Sequence, residues 1–285
     1  MRVRGVAAGC TALALVAALG ALAARHDWGD TLPTVPLVLA RACAVTADGH
    51  VSLNAHQMAN AATIAAVGIR QKMPEYAVVV ALATAFQESK LENLTGGDRD
   101  SVGLFQQRPS QGWGTPEEIR DPRYASAKFY GALKKVRGWE DMRVTDAAQR
   151  VQRSAFPEAY EKWAEESEVL AKALLGKATG AVSCTVSGEP EVRGAAAASG
   201  LADGINADWG TVRSATAEPD GLTVDVQDDR DGWRYAHWLV SHATDHGVER
   251  VLFGGLEWEA EDGTWSPIAG VPAAGTNRVV AKVFD

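Results

Sequence analysis

The sequence predicts a mainly α-helical domain followed by a small α+β domain. Three observations carry this. Between Cys43 and Cys184, apolar residues recur at helical spacing and the breaks between runs hold helix-start signals. Residues 187–200, SGEPEVRGAAAASG, have the composition of a flexible linker. Beyond them the texture changes to short alternating runs around one helical stretch. A chain of 285 residues, 46% hydrophobic and 22% charged, is long and apolar enough for one large or two ordinary globular domains. The expected division is a signal peptide or membrane anchor at 1–25, a spacer at 26–42, the helical domain at 43–184, a linker at 185–204 and the α+β domain at 205–285.

In chain order, Arg2 and Arg4 precede an apolar run from Gly5 to Ala24, the pattern of an export segment. Ala21-Leu22-Ala23 offers a cleavage site, yet the run of roughly 20 residues also suffices to span a bilayer. Both readings stand: a secreted extracellular protein, or one anchored to the outer face of the cytoplasmic membrane. Cys10 lies too early in the run for a lipidation site, and a single span builds no transport pathway. Pro33 and Pro36 mark the spacer. Asn54 and Gln57 have capping-box spacing and open an Ala-rich helix to about Ile69. Pro74 starts the next, with Val78, Val79, Leu82 and Phe86 inward; it is apolar nearly all round and should be buried, ending at Glu88. Residues 95–101 and QRPSQGWG read as loops. Further helices are expected from Thr115, Asp121 and Thr145, and a long one from Pro157 to Gly176. In the second domain, Leu222–Val226, Val248–Phe253 and Arg278–Phe284 read as strands, and Trp233–His246 as a helix closed by Gly247.

The net charge of −8 argues against a nucleic-acid partner, which calls for a basic face. Export places the chain in an oxidising compartment, where Cys43 and Cys184, the only cysteines outside the export segment, are expected to pair rather than persist as buried thiols.

The stretch QESKLENLTGGDRDSVGLFQ at 87–106 bears most directly on function. Glu88-Ser89 closes the apolar helix, and Gly103-Leu104-Phe105-Gln106 follows after a loop. A carboxyl at the mouth of an apolar helix has the partly desolvated setting that a general acid uses. These residues resemble the E-S…G-L-(M/F)-Q signature of the lysozyme-like superfamily, in its lytic-transglycosylase and goose-type lysozyme branch. The longer run GDRDSVGLFQQRPSQGWG is similar to one in a group of exported actinobacterial proteins. The resemblance covers about half the chain and implies a lysozyme-like fold for 43–184. It implies Glu88 as catalytic acid and base, with Ser89 orienting its neighbour or contacting substrate. Gly103 would let the backbone approach the glycan, and Gln106 would bind sugar or brace its own loop. Asp98, in Gly97-Asp98, is the better match for a water-positioning aspartate, ahead of Asp100; turn chemistry alone also explains both. Trp113 is placed to stack on a sugar or to pack. Of the segment 155–160 only Tyr160 carries over, because the family's asparagine and glycine are absent.

In the second domain, Thr216-x-Glu218-x-x-Gly221-x-Thr223-x-Asp225 resembles, faintly, the S-x-H-x-x-G-x-A-x-D pattern of VanY/hedgehog-type zinc carboxypeptidases. Glu218 stands in place of a histidine ligand, and Arg278-Val279-Val280 falls where a second is expected, so no metal is predicted. His242 and His246 share helical spacing and, without a third ligand, should face solvent.

The implied activity is cleavage of peptidoglycan glycan strands between MurNAc and GlcNAc, without a cofactor. The alternative is an exported peptidoglycan-binding protein that has lost turnover. The oligomeric state is not read from the sequence.

Overall fold

A computed structural model describes residues 42–188, 190–212, 214–270 and 277–285. The expected export segment and most of the expected spacer lie outside these residues.

The chain begins with two short strands, β1 (Cys43–Thr46) and β2 (His50–Leu53), joined through Asp48-Gly49. Cys43, Val45, Val51 and Leu53 point inward, the period-2 pattern of a half-buried hairpin. Helix α1 (Ala55–Arg70) opens on the expected capping box: the Gln57 amide N–H donates to Asn54 Oδ1 at 2.8 Å and Asn54 N–H donates to Gln57 Oε1 at 2.9 Å. Helix α2 (Glu75–Ser89) follows Pro74 and is buried from Ala77 to Phe86. Then come α3 (Pro116–Ile119), α4 (Pro122–Leu133), α5 (Val144–Gln152) and α6 (Ala164–Leu174). Strand β3 (Val182–Cys184) returns to pair antiparallel with β1, giving a sheet of order β2-β1-β3. Cys43 and Cys184 stand opposite one another in that register and form a disulfide.

Helix α7 (Gly194–Trp209) comes next, then β4 (Ala215–Glu218), β5 (Gly221–Asp225), α8 (Asp229–Ser241) and α9 (Ala243–His246). The remaining strands are β6 (Val248–Phe253), β7 (Leu256–Glu259), β8 (Trp265–Pro267) and β9 (Arg278–Val283). They form an antiparallel sheet of order β4-β5-β9-β6-β7-β8.

Two expectations are corrected. With 46% helix, 17% strand and two antiparallel sheets, the class is α+β and not a mainly α domain with a small α+β appendage. The first sheet escaped notice because its strands are three or four residues long, too short for alternation to stand out beside the helical runs that follow. The stretch read as a linker also holds α7. Its glycines and alanines serve close packing: Ala197, Ala198, Leu201, Gly204 and Ile205 are buried, and a Cβ on Gly204 would lie 2.8 Å from His246 Nε2.

One hydrophobic core runs through both halves, with α1 packed on α7 and α8. A buried polar knot pins the seam. Asp208 of α7 accepts from Thr63 Oγ1 (2.7 Å) and Trp238 Nε1 (2.8 Å), and its other oxygen lies 2.6 Å from Arg123 Nε. His242, expected in solvent, is buried beside this knot and stacked on Trp238; burial depresses its pKa, opposed by Asp208.

Candidate active site

Glu88 sits in the last turn of α2, half-buried. The helix end is fixed from two sides. Phe86 stacks on Trp163 at 5.0 Å, and Trp163 Nε1 donates to Gln87 Oε1 at 3.0 Å. Ser89 is buried, and its hydroxyl bonds the carbonyls of Leu104 (2.7 Å) and Ala85 (3.0 Å). It therefore ties the helix to the GLFQ turn and does not line the cleft.

The turn itself is a tight reversal. Val102 and Gln107 exchange both backbone hydrogen bonds, at 3.0 and 3.1 Å. Leu104 and Phe105 are fully buried, and Phe105 stacks on Phe129 at 4.8 Å. Gly103 takes φ +77, and a Cβ there would lie 2.7 Å from the Ile119 carbonyl oxygen. The close approach that requires this glycine is thus to Ile119, where a glycan had been expected. Gln106 is half-exposed on the cleft wall; its Nε2 donates to Gly103 O at 3.1 Å and its Oε1 lies against Gly97.

Glu88 lies in a cleft of about 540 Å³ whose walls include Asp98, Gln106, Trp113, Gln152, Arg153 and Phe156. Two donors converge on Glu88 Oε1: Tyr160 Oη at 2.6 Å and Gln152 Nε2 at 3.1 Å. Gln152 Nε2 also donates to Phe105 O at 2.8 Å, linking the acid to the turn. No described residue hydrogen-bonds Oε2. The Tyr160 phenol is buried, and burial, with the Glu88 carboxylate beside it, pushes its pKa well above the usual phenol value, so it remains a donor.

The two loop aspartates differ. Asp98 is at the cleft but 90% exposed, with one loose contact to Arg99 at 3.9 Å. Asp100 accepts from Arg108 Nε (2.7 Å), Ser110 N (2.8 Å) and Ser110 Oγ (3.0 Å), which hold its carboxyl far below the usual range. It braces the loop. Trp113 reaches the cleft with part of its surface and packs on the core with the rest.

Sequence reasoning missed Gln152. It ends α5, and no motif marks it. The long helix expected from Pro157 begins only at Ala164, after a 3-10 turn at Glu161–Trp163. The irregular chain before it delivers Tyr160 to Glu88.

The residues similar to zinc ligands do not converge. Asp225 lies opposite Arg278 on β9, 3.0 Å from its guanidinium. Glu218 pairs with Gly221 four residues earlier, roughly 13 Å away along the strand, and faces Lys282 at 4.0 Å. Among the described residues, no group of His, Cys, Asp and Glu is arranged to hold a metal ion, and no helix is long and apolar enough to cross a membrane.

Neither the protein-family models nor the curated proteins compared with this chain give a match.

Proposed function

We propose that the protein cleaves peptidoglycan glycan strands between MurNAc and GlcNAc at the Glu88 cleft, as a lytic transglycosylase. The observation that carries this reading is a cleft-lining carboxylate held by two donors on one oxygen, with no described residue bonded to the other. In the first step Glu88 Oε2 gives its proton to the glycosidic oxygen and the bond to the anomeric carbon breaks. The carboxylate, held through Oε1 by Tyr160 and Gln152, faces the resulting oxocarbenium charge. It then takes the proton of the sugar's own hydroxymethyl group, which closes onto the anomeric carbon to give an anhydro ring.

A single carboxylate suffices for this sequence. Hydrolysis with inversion needs a second one to activate water. Asp100 is bound on both oxygens, and Asp98 is exposed and loosely held, which favours ring closure over hydrolysis. The disulfide and the export-like N-terminal segment agree with a protein working outside the cytoplasmic membrane. The test is release of muropeptides from purified peptidoglycan by the native protein and by Glu88→Gln. If neither releases product and both are retained on peptidoglycan, the non-catalytic alternative replaces this reading.

A further inference from the structure

Six non-glycine residues among those described hold left-handed backbone: Lys72, Lys90, Leu91, Arg99, Gln106 and Arg153. Three of these, Arg99 (φ 57), Gln106 (φ 47) and Arg153 (φ 54), line the cleft that contains Glu88. This region crowds any Cβ and costs nothing to glycine, so a side chain kept there has a use. Gln106 is accounted for by its place in the GLFQ turn and its bond to Gly103. The two arginines are not accounted for by packing or by pairing. Arg99 is 70% exposed and has only the 3.9 Å contact with Asp98. Arg153 is exposed, and its guanidinium has no hydrogen bond or ion pair to any described residue. Arg108, on the same wall, shows what a structural arginine looks like here: it is bound to Asp100 at 2.7 Å.

The backbone duty at Arg153 does not ask for arginine either. It caps α5 through its N–H to Gln149 O at 2.8 Å, a task for which glycine or asparagine is the cheaper residue. In a chain of net charge −8, two guanidinium groups therefore line the Glu88 cleft on left-handed backbone, Arg153 without an ion pair to any described residue and Arg99 with only its long contact to exposed Asp98. Guanidinium recognises carboxylate through paired N–H donors.

Resting on the glycan-cleavage reading, we infer that Arg99 and Arg153 recognise carboxylates of an acidic glycan, so that the cleft selects anionic peptidoglycan strands over neutral N-acetylglucosamine polymers. The carboxylates come from one of two sources. Strands with intact stem peptides carry them on the peptide. Strands stripped of peptide carry them on the freed lactyl group, which sits on the sugar beside the bond to be cut.

The experiment measures binding of three probes to the full chain by titration calorimetry: a peptide-bearing peptidoglycan tetrasaccharide, the same tetrasaccharide stripped by an amidase, and chitotetraose. At least one acidic probe should bind more tightly than chitotetraose, by about two- to fivefold for each arginine engaged, with a preference that shrinks in high salt. The tighter of the two acidic probes names the source. The Arg99→Gly and Arg153→Gly double variant should lower acidic-probe affinity to the chitotetraose level and leave chitotetraose binding unchanged. Because glycine relieves both left-handed positions, the variant should keep its thermal midpoint, which separates recognition from a structural role. Equal affinity for acidic and neutral probes, unchanged acidic binding in the double variant, or no binding of any probe would each overturn the inference. Acidic binding lost in the double variant, in a native protein that releases no muropeptides, would uphold this inference and end the cleavage reading.

Discussion

Tyr160 donates its phenolic hydrogen to Glu88 Oε1 at 2.6 Å, across 72 positions of sequence. With Gln152 on the same oxygen, this engages one carboxyl oxygen and leaves the other without a described hydrogen-bond donor. Tyr160→Phe removes the donor and keeps the ring. A hydrogen bond to a charged group is worth about 1.5–3 kcal/mol, so kcat should fall by about 10- to 160-fold with KM nearly unchanged. Circular dichroism should show an intact fold. Native kcat in the variant would show that the phenol does not position the acid.

The helix end and the turn that follows it were legible because each is a local feature. Glu88 ends an apolar helix and Gly103 to Gln106 form one turn, both recognisable without knowing the fold. Around Glu88, Tyr160 was singled out only through the resemblance, and Gln152 was not legible at all. Gln152 and Tyr160 reach it from α5 and from irregular chain, and no sequence period encodes such an approach. Asp48-Gly49 between Cys43/Val45 and Val51/Leu53 was a readable hairpin signal, outweighed by the helical pattern beside it. Gly200 and Gly204 of α7 read as flexibility because the residue they lie against, His246, is distant from both in sequence.

Gly97 of the loop and Gly103 of the turn should respond differently to alanine. Gly103 combines left-handed backbone with a backbone carbonyl in the way, so Gly103→Ala should destabilise by about 1–3 kcal/mol, read from urea midpoints. At Gly97 the obstacle is the end of the Gln106 side chain, which can swing away. Gly97→Ala should keep nearly native stability and weaken glycan binding through Gln106. Equal urea midpoints for the two variants would contradict this distinction.

The Cys43–Cys184 bond closes a separation of 141 residues. Loop entropy gives it about 3–5 kcal/mol of stability. Intact mass under non-reducing conditions should show the oxidised form, and the double serine variant should lose stability in that range. Two free thiols in protein recovered from an oxidising compartment would refute the pairing.

His237 sets an acid limit. It is fully buried, and burial lowers its pKa to about 4, against the ordinary value of 6.5. Its ring bonds Ala173 O at 2.8 Å and accepts the Ala181 N–H at 2.9 Å, so the neutral form is the one the fold accommodates. The unfolded chain therefore takes up the proton first. The stabilising contribution is complete above pH ~6.5 and is lost as pH falls toward 4, by roughly 3 kcal/mol in all. His242 and His246, also depressed by burial, add in the same direction. Denaturant midpoints between pH 7.5 and 4.5 should fall more steeply for the native protein than for His237→Gln. Parallel curves would exclude His237 as the source.

The most direct measurement of the central claim is mass spectrometry of the muropeptides released from purified peptidoglycan. The native protein should release anhydro-ended products, Asp98→Asn should release them at near-native yield, and Glu88→Gln should release none above background. Products with only free reducing ends, or release by Glu88→Gln at the native rate, would contradict a single-carboxylate site at Glu88.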